Sequence, residues 1–280
     1  MLRTEIAERP AEVLVSSKPS APAVRSDMPG NLFGFWTALL TSVCALAALA
    51  VGITTPARSG PNCLSDCIAY PYTDVAAFVP GDYLWMYPAS FVAALFVVLV
   101  ACIHQATPQA RQHLSLIGLA FAIVAATVLL ADYLIQLTVV QPSLLKGETA
   151  ALSLLSEYNP HGVFIALENL GYLAMGVAFL WIGLTFTGRS LLDRGLRWLL
   201  IGGGVAAVVT LIGLALGYGA DLEYRFEVAG LGIDWLVLIV VGALLSVRFR
   251  PVRRRHEAFT SRVDVKGAVE CELRVRVTAC

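Results

Sequence analysis

Six apolar stretches, each long enough to cross a bilayer, constrain this chain more than any other feature. A spanning helix needs roughly 17–25 mostly apolar residues. The segments run at about 32–53, 88–104, 113–137, 160–186, 196–217 and 229–246. Pro88 suits a first helical turn, Asn159-Pro160 reads as a cap followed by a first-turn proline, and Pro142 should stop the third segment. In lipid every backbone polar group must be satisfied within its own segment, so these stretches read as helices. The predicted fold class is therefore all-α: a polytopic membrane bundle of six helices over 32–247. Composition agrees, with 58% hydrophobic residues, 14% charged and a mean hydropathy of +0.73. That excludes a disordered chain and a nucleic-acid binder, and leaves the lipid bilayer as the expected partner.

The tails differ from the bundle. Residues 1–31 are polar, carry four prolines and read as a disordered tail too long for a signal-peptide lead. Residues 248–280 form a basic tail, in which strict alternation at 269–277 suggests a small strand pair. With six spans, both tails share a side with the second and fourth loops, and that side holds 17 of the 20 Lys and Arg residues. The positive-inside rule then places both termini in the cytoplasm of a plasma-membrane protein.

Ionisable side chains at membrane depth are costly and tend to face the bundle or a wet cavity. Asp132 in the third span, Glu168 in the fourth and Asp234 in the sixth all fall roughly 7–12 Å below the outer boundary, at 1.5 Å of rise per residue. On the third helix Gly118, Ala122, Ala125, Asp132 and Gln136 share a face, and small residues mark packing faces in lipid. On the fourth, His161, Glu168 and Tyr172 stack at i, i+7 and i+11. Gly213 and Gly217 form a small-xxx-small pair that should pack the outer half of the fifth helix closely.

The expectation is an outward-opening acidic pocket lined by Asp132, Gln136, His161, Glu168, Tyr172 and Asp234. It would bind a small or lipid-like ligand, with transport or proton coupling as extensions. One alternative is an intramembrane enzyme acting on an isoprenoid or lipid, with Glu168 or Asp132 as general acid. Another is a structural partner in the envelope, whose acids are satisfied by neighbouring side chains.

Cys63 and Cys67 lie in the first loop on the oxidising side and read as a short disulfide. Two thiolates make a poor zinc site, and neither a metal nor a cofactor is expected. Tyr83, Trp85 and Tyr87 suit an interfacial aromatic belt, or with Asp82 a rim over the pocket. Residues 144–157 suit a short amphipathic surface helix.

The phrases Ser143-Leu-Leu-Lys-Gly-Glu148, Tyr158-Asn-Pro-His-Gly162 and Phe164-Ile-Ala-Leu-Glu168, with Gly171-Tyr172, resemble a family of uncharacterised bacterial integral membrane proteins. Gly81-Asp-Tyr83, Asp132-Tyr-Leu-Ile-Gln136 and Asp221-Leu-Glu-Tyr-Arg-Phe-Glu227 extend the resemblance over about residues 33–250. It implies a six-span membrane protein and carries over no activity, cofactor or site residue.

Overall fold

A computed structural model describes residues 32–250 apart from 151 and 189. Both tails, including the strand pair expected at 269–277, lie outside the described residues. Among the described residues six helices are long and apolar enough to cross a membrane. We label them α1 (Leu32–Gly52), α2 (Met86–Ala106), α3 (Gln112–Ile135), α4 (Val163–Gly183), α5 (Leu191–Tyr218) and α6 (Tyr224–Arg248). Each packs on the next, and α6 returns to α1 and closes the ring. Across the ring α4 also meets α6, so α4 is the most enclosed of the six spans and α5 the least.

Small residues set the crossings, as expected where lipid tails are as apolar as the helices and only close packing favours association. A Cβ built on Gly242 of α6 would meet the Ala38 carbonyl of α1 at 2.7 Å. One on Gly118 of α3 would meet Ile182 of α4 at 2.7 Å. The expected α3 face is buried throughout, from Gly118 through Ala122 and Ala125 to Asp132 and Gln136. Ser42 of α1 donates to the Ile239 carbonyl of α6 at 2.7 Å, tying the first helix to the last.

Four sequence expectations need correction. Pro142 does not stop the third span. A π turn at Gln136–Val140 precedes it, the Gln141 N–H reaches back five residues to the Gln136 carbonyl, and helix continues through Gln141–Leu145. The wider turn relieves the clash a proline ring makes with the carbonyl four residues earlier. The surface helix at 144–157 shrinks to Leu152–Leu155, because Gly147 breaks the run at φ +70°. A Cβ on Gly213 or Gly217 would meet nothing within 4 Å among the described residues. The close α4–α5 contact falls instead at Gly204, where a Cβ would lie 2.4 Å from the Gly176 carbonyl, and the far half of α5 is exposed. Finally, α6 begins at Tyr224, five residues before the expected 229.

The two ends of the bundle differ in character. One carries the long segment 53–85, the turn region 146–162 and the short link 219–223. The other carries short links and the cations Arg111, Arg194, Arg197, Arg248 and Arg250. At that end Arg248 pairs with Asp193, and Arg111 and Arg197 donate to the Phe186 carbonyl at the end of α4.

Candidate functional site

The long segment 53–85 has little regular structure, so its position is set by side chains. Cys63 and Cys67 are joined in a disulfide that closes a short loop. Arg58 lies 3.5 Å over the Phe78 ring and donates from Nε to Asp82 Oδ2 at 2.5 Å. Tyr158, from the 146–162 region, donates to the same oxygen at 2.6 Å. Asp82 is 6% exposed, so without these donors its charge would be stranded out of water. Ser59 donates to the Tyr158 carbonyl at 2.5 Å and touches the Tyr224 hydroxyl at 2.8 Å. Tyr224 in turn donates to the Glu157 carbonyl at 2.9 Å. Two hydroxyl hydrogens serve three contacts, so one is shared. This network clamps residues 58–82 and 157–158 to the start of α6, forming a roof.

Beneath the roof lies a cavity of about 450 Å³, within the usual range of small-molecule sites. Its deep wall is apolar, with Leu49 from α1, Ile53 just past its end, Phe164 and Ile165 from α4, and Leu231 from α6. Two indoles face it, those of Trp85 and Trp235, with ring centroids 6.0 Å apart. Its polar rim is Arg58, Ser59, Glu157, Tyr158, Tyr224 and Glu227. One Glu157 carboxyl oxygen is buried and has no hydrogen-bond partner among the described residues. Burial first, and then the nearby carboxylates of Asp82, Glu227 and Asp132, push the Glu157 carboxyl well above its usual range. Burial likewise raises the Tyr158 phenol, with Glu157 adding to it.

None of the six residues expected to line a pocket lines this cavity. The structure nevertheless brings some of them together behind its wall. Glu168 and Asp132 are 0% and 1% exposed. Tyr133 donates to Glu168 Oε1 at 3.0 Å and shares a 2.6 Å contact with the Tyr172 hydroxyl. The Glu227 carboxyl of α6 neighbours the Glu168 carboxyl of α4. Glu227 thus connects the cavity rim to the buried Glu168–Tyr133–Tyr172 cluster. The Trp85 ring sits between the two, edge-on to Tyr133 at 5.4 Å and beside Trp235.

The other expected residues stand apart. Gln136 donates to the Leu155 carbonyl at 2.6 Å and so supports the roof from below. Asp234 is fully buried near Gly176 of α4, and neither oxygen has a partner among the described residues. His161 is exposed. It precedes the Gly162 cap, so it never joins the face that carries Glu168 and Tyr172. Tyr87 is exposed at the start of α2, whereas Asp82 and Trp85 belong to the roof and cavity. No group of three or more His, Cys, Asp or Glu able to hold a metal occurs among the described residues.

Sequence reasoning missed Glu227, Glu157 and Tyr133. A usable signal existed for the first. Glu227 and Asp234 are seven residues apart, the spacing of one helical face, and reading α6 from Tyr224 would have placed both on it.

No family model, no curated protein and no solved structure matches the chain. Its class is a six-helix multi-pass membrane protein, and the functional reading rests on its own geometry.

Proposed function

We propose that this protein holds a small or lipid-like amphiphile in the cavity between α1, α4 and α6. The carrying observation is that cavity of about 450 Å³, apolar at depth and polar at its rim. A bundle with only a structural role would gain packing contacts by closing this volume with its own side chains. In this reading the protein lies in the plasma membrane with both termini in the cytoplasm and the roofed end outside. The clustering of Arg111, Arg194, Arg197, Arg248 and Arg250 at the opposite end supports that orientation. The Glu227–Glu168–Tyr133–Tyr172 chain gives an occupant's arrival a route to alter a buried proton, which would suit coupled movement of the ligand. The enzyme alternative is less well supported, because Asp132 and Glu168 do not line the cavity and could not meet a substrate there.

The test fills the cavity. Gly232 lines it, and a Cβ built there meets nothing within 4 Å. Gly232→Leu should therefore fold normally while occupying ligand volume. Wild-type protein and the variant, purified from the same cells, are compared by native mass spectrometry and by chromatography of organic extracts. A bound amphiphile present in wild type and lost from the variant is the expected result. Identical extracts from both, or none from either, refute the reading.

A further inference from the structure

We propose that the cavity selects an amphiphile with a cationic, ammonium-type headgroup, seated between Glu157 and Glu227 against the Trp85 and Trp235 indoles. The inference rests on the binding role proposed above and names the ligand class for that site.

Charge at the rim is the first argument. Three charged side chains line the cavity: Arg58, Glu157 and Glu227. Arg58 is already committed, with its Nε on Asp82 Oδ2 at 2.5 Å, Nη2 on Oδ1 at 3.4 Å and its guanidinium stacked on Phe78. Asp82 neutralises it and is buried. Neither acid has a cationic partner among the described residues, and Glu157 presents a buried oxygen that receives no hydrogen bond from them. An anionic headgroup would bring negative charge against both carboxyls. A neutral one could not draw the proton off the buried Glu157 carboxyl as a cation does. An ammonium supplies up to three donors and the missing positive charge.

The wall is the second argument. Indole faces attract cations through the ring quadrupole, more strongly when water is excluded. Trp85 and Trp235 are 7% and 2% exposed and both line the cavity beside the acids. The third is the depth beyond the rim, where Leu49, Ile53, Phe164 and Leu231 offer only apolar surface. A hydrocarbon tail fits there and a hydrated inorganic cation does not, since no cluster of metal-ligating side chains accompanies the acids among the described residues.

The experiment uses the full chain in lipid nanodiscs and three probes of equal tail length: octylammonium, octanol and octanoate. The two cavity indoles, among five tryptophans in the chain, report occupancy through a saturable change in fluorescence. Octylammonium should bind at least tenfold tighter than octanol, and octanoate weakest. Glu227→Gln and Glu157→Gln should each weaken octylammonium at least tenfold more than they weaken octanol, and residual saturable octanol binding shows that the variants fold. Equal binding of octylammonium and octanol, or octylammonium binding indifferent to both substitutions, overturns the headgroup assignment while the cavity reading stands. No saturable signal from any probe, with Gly232→Leu indistinguishable from wild type, overturns both.

Discussion

The contact of α4 with α5 offers a sharp test, because two glycines on one helix should respond in opposite ways. A Cβ on Gly204 would lie 2.4 Å from the Gly176 carbonyl and 2.6 Å from Leu180 Cγ, where real Cβ atoms keep at least 3.0 Å. The nearest obstacle is backbone, so no side chain can swing aside and the two helices must part by about 0.6 Å. Opening a packed interface in this way costs roughly 1–3 kcal/mol. For a bundle of this size each kcal/mol shifts Tm by about 2–4 °C, so Gly204→Ala should lower Tm by about 2–12 °C. Gly202, two residues away, is exposed and its Cβ would meet nothing within 4 Å. Gly202→Ala should leave Tm unchanged or raise it, through up to about 1 kcal/mol of helix propensity. Thermal unfolding of the purified proteins, followed by intrinsic fluorescence and by loss of the monodisperse chromatographic peak, reads both. Equal midpoints for the two variants would refute the argument that backbone proximity at Gly204 sets this crossing.

Other perturbations probe the site and its roof. Tyr133→Phe removes the hydroxyl that joins Glu168 to Tyr172; stranding buried partners should cost about 1–3 kcal/mol, seen as a lower Tm, whereas Tyr87→Phe at the exposed start of α2 should be silent. Replacing Cys63 and Cys67 together by Ser opens a loop of sequence separation four, so chain entropy allows only about 2 kcal/mol of loss. The Arg58–Asp82–Tyr158 clamp should hold the roof, and octylammonium affinity should survive. The Glu157 carboxyl is raised in the fold, so the folded state keeps a proton that the unfolded chain releases above the ordinary value of 4.5. Its contribution to stability is therefore complete below that value and is lost as pH rises towards the folded value. Wild-type Tm should fall relative to Glu157→Gln as pH rises above 4.5, and parallel curves would contradict the assignment.

The spans were legible because the bilayer imposes a length and an apolar content that a sequence displays directly. The buried face of α3 was legible for a similar reason: Gly118, Ala122, Ala125, Asp132 and Gln136 recur at helical spacing. What escaped was decided by contacts across the chain. Pro142 looks like a stop until a π turn upstream relieves its clash. Glu227 reads as a loop acid because the first turn of α6 also holds Arg225 and Glu223 precedes it. Tyr133 neighbours the conspicuous Asp132, yet the tyrosine makes the bridge while one Asp132 oxygen has no partner among the described residues. The roof has no periodic pattern at all; its position depends on Arg58, Asp82, Tyr158 and Tyr224, which come from three separate segments.

The closing of α6 onto α1 bears on how the protein is made. Ser42 and Ile239 are 197 residues apart, and Ser59 and Tyr224 are 165 apart. A chain threaded into the bilayer helix by helix would hold α1 for nearly the whole of synthesis without its final neighbour. The cavity needs that neighbour, since Glu227, Leu231 and Trp235 all belong to the last helix. Such long-range closure comes late, because the entropy of joining distant segments is lost before their contacts can compensate. A nascent chain therefore lacks the cavity until its sixth helix arrives, and under the proposed binding role a ligand in the membrane would favour completion of the ring by stabilising only the finished protein.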